Sequence, residues 1–113
     1  MNKTFQILDK IIAHIQKTTG YCADKSYDDF LENTMLQEAC VFNVLQIGEL
    51  SNLLDRAFFD RYPDIPWRSM YGMRNRLVHD YDGVKLRIVW DTIVEDFPRL
   101  LPRLKEIHDA IEQ

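Results

Sequence analysis

The chain has 113 residues, with 46% hydrophobic and 28% charged residues and a formal net charge of −4. That length and balance suit one small packed domain, so residues 1–113 are expected to form a single unit. No apolar run approaches the roughly 20 residues a membrane span needs. Met1-Asn2-Lys3-Thr4 leads into an amphipathic pattern, unlike a signal peptide, so a cytoplasmic location is the default expectation. An acidic chain also does not coat nucleic acid non-specifically, because backbone affinity comes from clustered Lys and Arg.

The first helix is expected from about Lys3 to Thr18. Phe5, Leu8, Ile12 and Ile15 recur at helical spacing, Ile11 widens the stripe, and Gly20 stands where a left-handed cap belongs. The two cysteines, Cys22 and Cys40, match no zinc or redox spacing and read as reduced thiols, Cys40 as a small core residue. Ser26 and Asp29 form an approximate capping box for a short turn through Phe30 and Leu31. Asn33 or Thr34 then starts a long helix reaching about Asp55. Its apolar residues cover so wide an arc that it needs neighbours on two sides, within the bundle or in a second protomer.

Arg56 to Pro66 reads as a connector punctuated by Pro63 and Pro66. A third helix follows, carrying Trp67, Met70, Tyr71 and the run Arg74–His79, and stopping near Gly83. A fourth spans about Lys85 to Glu95. Pro98 starts or kinks a last segment striped by Leu100, Leu101, Leu104, Ile107 and Ile111. Gly48 and Gly72 fall inside helices, where glycine costs about 1 kcal/mol relative to alanine. Either another backbone comes close there, across a dimer interface for instance, or the helix bends. The fold predicted is an all-α, up-and-down bundle of four to five helices.

Charge is unevenly placed. No arginine precedes Arg56. From Arg56 to Arg87 there are seven cations (Arg56, Arg61, Arg68, Arg74, Arg76, Lys85, Arg87) against four anions (Asp60, Asp64, Asp80, Asp82). Within that window, Met73-Arg74-Asn75-Arg76-Leu77-Val78-His79-Asp80-Tyr81 holds a phosphate-clamping guanidinium, an amide and a proton-carrying imidazole. Those groups can cleave RNA without a metal. The ribose 2′-hydroxyl is the nucleophile, His79 the general base or acid, Arg74 the stabiliser of the phosphorane, and Asn75 an orienting amide. Helix register separates Arg74 from His79 by about 140°, which favours a composite site in a homodimer. By spacing alone, the end of an ordinary amphipathic helix, with His79 favoured by the C-terminal dipole, accounts for the run at least as well.

The stretch Ile65–Tyr81, with Leu45-Gln46-Ile47-Gly48-Glu49-Leu50 upstream and Val84 and Val89-Trp90 downstream, closely resembles the HepT-like branch of the HEPN superfamily. The resemblance implies an all-α bundle that dimerises with its motif helices facing a shared cleft. It implies a metal-independent endoribonuclease, the toxin of a type II toxin–antitoxin pair, with Arg74 and His79 as the Arg-x4-His pair and Asn75 beside the arginine. Tyr81 completes Arg-x4-His-x-Tyr and becomes the site that an MntA-like nucleotidyltransferase antitoxin AMPylates, placing an anion where RNA would bind. No cofactor and no metal are implied. Leu50 departs from the commoner alanine of the Gly-Glu-Ala run, and Asp80 and Asp82 flank Tyr81 with negative charge.

Arg68, Tyr71 and Arg76 are candidate RNA contacts, while Trp67 and Trp90 read as core. Glu49 is a candidate partner for Arg74 or Arg76. His14 and His108 have no second ligand at metal spacing and read as surface or boundary residues. The competing expectation is a non-catalytic HEPN subunit that binds a nucleotide or a nucleotidyltransferase partner.

Overall fold

A computed structural model describes residues 2–79 and 86–111, apart from the side chain of His79. Among these residues all regular structure is helical. Helix α1 (Lys3–Cys22) is capped by Asn2, whose side chain accepts from the Thr4 and Phe5 amides. It buries Ile7, Leu8, Ile11, Ile12 and Ile15 on one face. It also runs a full turn beyond the expected stop. Gly20 lies inside it without a left-handed backbone, and the added turn delivers Cys22 to the core, 3.7 Å Sγ to Sγ from Cys40. Both thiols are free and buried. The hydrogen bond they share holds the Cys22 thiol below its usual range and pushes Cys40 up.

Helix α2 (Tyr27–Leu31) starts with the reciprocal capping box of Ser26 and Asp29. Helix α3 (Thr34–Ser51) is capped by Asn33. It stops short of Asp55 because Asp55 is itself a cap. Its backbone is extended and its carboxylate accepts from the Phe58 amide at 2.8 Å, which starts helix α4 (Arg56–Arg61). The expected connector thus contains a helix of its own. Phe58 and Phe59 of α4 pack on Trp67, ring centroids 5.6 Å away in each case, and the Trp67 indole N–H donates to the Tyr62 carbonyl at 2.9 Å. This cluster anchors the start of helix α5 (Trp67–His79), directly after Pro66.

Helix α6 (Leu86–Asp91), a π-helical turn (Thr92–Asp96) and helix α7 (Phe97–Ala110) follow without a break. Proline 98 lacks the N–H that an α-ladder would aim at the Val94 carbonyl, and the widened turn falls at that mismatch. The core is one continuous cluster centred on α1, α3 and the α6–α7 rod. Among the described residues, four long rods therefore make the bundle, with α2 and α4 as short braces. Helix α3 packs against α1 on one side and α5 on the other, which accounts for its wide apolar arc within one chain. Asn43, buried in α3, accepts from His14 Nδ1–H through Oδ1 at 2.7 Å and donates through Nδ2 to the Ala39 carbonyl, tying α1 to α3 through satisfied polar atoms. No helix of the described residues is long and apolar enough to cross a membrane.

Candidate functional site

The site is made where α5 crosses α3. A Cβ on Gly48 would overlap the Arg74 Cβ and come within 3.0 Å of the Met70 carbonyl oxygen. Glycine at position 48 is what lets the two helices approach. The close neighbour is α5 of the same chain, not a second protomer. Gly72 differs: a Cβ there meets nothing within 4 Å.

Close approach sets Arg74 beside the next residue of α3, Glu49. The Arg74 Nε donates to Glu49 Oε1 in an ion pair, and Nη1 donates to Asn75 Oδ1 at 2.8 Å. The guanidinium carbon stands 5.6 Å from the Tyr71 ring centroid, within cation–π range. Of the two acidic pairings open to Glu49, the one with Arg74 is formed. Tyr71, three residues upstream, shares the arginine's face. The Arg74 side chain is 22% exposed and that of Glu49 48%. Three neighbours thus fix the arginine, Glu49 at Nε, Asn75 at Nη1 and Tyr71 beneath the guanidinium. Among the described residues, Arg74 Nη2 and Asn75 Nδ2 take no hydrogen-bond partner, so both keep donors to offer. Paired N–H donors of this kind match the oxygens of a phosphate.

Helix α5 continues through His79, whose Cα lies five residues on and about 140° around the axis from that of Arg74. The His79 side chain and residues 80–85, Tyr81 and Gly83 among them, lie outside the described residues. Arg76 is exposed on a different face of α5, at the rim of a groove beside α7. Arg68 is exposed as well, in a separate cleft of about 300 Å³ with Arg56 and Asp60. The structure therefore gathers Tyr71, Arg74, Asn75 and Glu49, and sets Arg68 and Arg76 apart from them. Trp67 and Trp90 are core, as expected. His14 and His108 are half-buried at the bundle's boundary, His108 stacked on Phe5 at 4.1 Å.

The family model "Ribonuclease HepT-like" matches residues 11–107. The chain belongs to the HepT-like ribonuclease family. Similar proteins include "Putative RNase TTE0752" of Caldanaerobacter subterraneus subsp. tengcongensis, 38% identical over 82 residues, covering 73% of each chain. "Probable ribonuclease HepT" of Thermococcus cleftensis is 33% identical over 100 residues, covering 88% of this chain and 91% of the relative. "Putative RNase MJ0127" of Methanocaldococcus jannaschii is 29% identical, covering 90% and 84% respectively. No solved structure matches the chain.

For this HepT-like chain, sequence reasoning named Tyr71 from its spacing to Arg74 and Glu49 from its place beside Gly48 on an apolar helix. It missed Arg99 of α7, which shares the groove with Arg76. Nothing local marks that arginine. It stands next to Pro98 in a helix far along the chain, and only the fold brings α7 to the wall of a groove lined also by α3 and α5.

Proposed function

We propose that the chain is a metal-independent endoribonuclease and the toxin of a type II toxin–antitoxin pair. The observation that carries this reading is the Glu49–Arg74–Asn75 arrangement. In a HepT-like chain, an arginine is held through Nε and Nη1, with Nη2 and the Asn75 N–H₂ taking no partner among the described residues, on the helix that carries His79. In the reaction, the 2′-oxygen bonds to phosphorus and its proton passes to one His79 imidazole. The P–O5′ bond breaks, and the leaving oxygen takes a proton from a second His79. Arg74 stabilises the added charge on the phosphorane oxygens, and Asn75 orients them. The products are a 2′,3′-cyclic phosphate and a 5′-hydroxyl.

Two imidazoles and the 140° separation call for a two-fold assembly. Support comes from α3, which leaves Met35 and Phe42 exposed on the same helix as Glu49, from Leu53 exposed just beyond its end, and from Val78 of α5, 49% exposed. A homodimer joined there brings one subunit's His79 toward the other's Arg74. Tyr81 is then the site for AMPylation by an MntA-like nucleotidyltransferase, whose anionic product repels RNA. One observation favours a second reading, a nucleotide- or partner-binding subunit that cuts nothing: the Glu49 carboxylate already neutralises Arg74.

Incubation of the purified protein with total RNA in EDTA separates the two. Fragments ending in cyclic phosphate are the expected result. Intact RNA together with tight nucleotide binding would establish the non-catalytic subunit instead.

A further inference from the structure

A groove of about 580 Å³ lies on the other side of α5 from Glu49, between α3, α5 and the α6–α7 rod. Its floor is apolar: Val44 and Ile47 of α3, Met70 and Met73 of α5, Phe97 of α7. Arg76 and Arg99 stand exposed at its rim with one anion, Asp96, so the mouth carries two positive charges against one negative. Among the described residues, neither arginine is in an ion pair. Gly72 opens onto the same space, since a Cβ there meets nothing within 4 Å. Its volume falls in the range of small-ligand sites, about 300–1,000 Å³, and an apolar floor with a cationic rim fits a flat ring carrying an anion.

Register links this groove to the chemistry. Arg76 lies about 200° around α5 from Arg74, so the groove is separate from the Glu49–Arg74–Asn75 cluster. The Cα of His79 is one turn beyond Arg76 and seven residues beyond Gly72, nearly in the same column along the helix. The groove therefore runs toward the end of α5 that holds the histidine.

We infer that this groove is a subsite for one nucleotide of single-stranded RNA next to the scissile linkage. The base lies on Met70, Met73 and Phe97, and the adjoining phosphate meets Arg76 and Arg99. Methionine side chains adapt their shape and make favourable sulfur–ring contacts, so the seat accepts any of the four bases. The inference rests on RNA being the substrate, and its test separates it from the cleavage reading by using a strand that cannot be cut.

The probe is a short, fluorescently labelled 2′-O-methyl RNA, with binding read by anisotropy and the all-ribose strand run beside it for cleavage. Gly72→Leu fills the groove, and its melting temperature should not fall, because leucine suits a helix better than glycine. Its affinity should drop on the order of 5- to 100-fold, the worth of one stacked base. Arg99→Ala should weaken binding and lower the slope of log affinity against log salt by about 0.7, one phosphate contact on a single strand. Lys105→Ala removes an exposed cation from α7 outside the groove and should keep both affinity and slope. Wild-type affinity in Gly72→Leu, equal losses in Arg99→Ala and Lys105→Ala, or no binding by the wild type would each overturn the subsite. Binding that obeys these rules while the all-ribose strand stays intact would retain the subsite and refute the nuclease.

Discussion

Replacing Gly48 by alanine tests whether the α3–α5 crossing positions the arginine. The new Cβ would stand inside the envelope of the Arg74 Cβ and 3.0 Å from the Met70 carbonyl oxygen. Carbon pairs rest at about 3.5–4.0 Å, so α5 has to withdraw by on the order of 1 Å. Neither obstructing atom is the free end of a flexible chain, so the helix backbones must absorb the movement. Overpacking of this kind costs about 1–3 kcal/mol, and the better helix propensity of alanine returns about 1 kcal/mol. The net loss is about 0–2 kcal/mol, or a fall in melting temperature of no more than roughly 10 °C. A catalytic group displaced by about 1 Å loses on the order of 100-fold in rate. Activity should therefore fall far more than stability, as read by single-turnover cleavage beside a thermal melt. Gly72→Ala is the control for the melt, and its melting temperature should rise by a few degrees, because its Cβ meets nothing. A Gly48→Ala protein with wild-type melting and wild-type cleavage would refute the reasoning.

Arg74→Lys keeps the charge and loses the fork; cleavage should drop about 100- to 1,000-fold with the fold intact by circular dichroism, and a rate within threefold of wild type would remove the bidentate role. Glu49→Ala frees the Nε edge; kcat should fall about tenfold or more while the half-exposed pair's loss costs no more than about 1 kcal/mol in a denaturant titration. An unchanged kcat would make Glu49 a bystander. The Asp29 carboxyl is held below the usual carboxylate range by the Ser26 backbone N–H and then its hydroxyl, and the Asp64 carboxyl by the Arg103 guanidinium. Both have folded values below their unfolded ones, so the stability they contribute is complete above about pH 4 and disappears as pH falls through the depressed values. Melting temperature should decline on that acid limb, and Asp64→Asn should flatten the decline; an identical limb in the variant would contradict the pairing.

Much of the frame was legible because its signals are local. The Ser26–Asp29 box, the Asn33 cap and the start of α5 after Pro66 each depend on side chains within a turn of the backbone they control. The errors came from tertiary demands. Gly20 has the composition of a stop, yet the pull of the Cys22 side chain into the core carries α1 past it. Asp55 looked like the tail of α3, and its role as a cap only appears once α4 has Trp67 to pack on. Glu49 and Tyr71 were readable as neighbours of Arg74 because a carboxylate beside Gly48 on an apolar helix, and an i, i+3 pair, restrict the partners. The groove at Arg76 was not readable, since its walls come from α3, α5 and α7 and no spacing rule joins them.

Mixing wild-type and His79→Ala subunits tests the composite site most directly. The variant alone should be inactive. A mixed dimer holds one of the two His79 imidazoles that the reaction uses, so it should not cleave. Unfolding and refolding equal amounts together should then leave on the order of a quarter of the rate in EDTA that the same total of wild-type protein gives, the dimers with two wild-type subunits being about a quarter of all dimers. Half the wild-type rate, with mixed dimers verified by native mass spectrometry, would contradict catalysis shared between subunits.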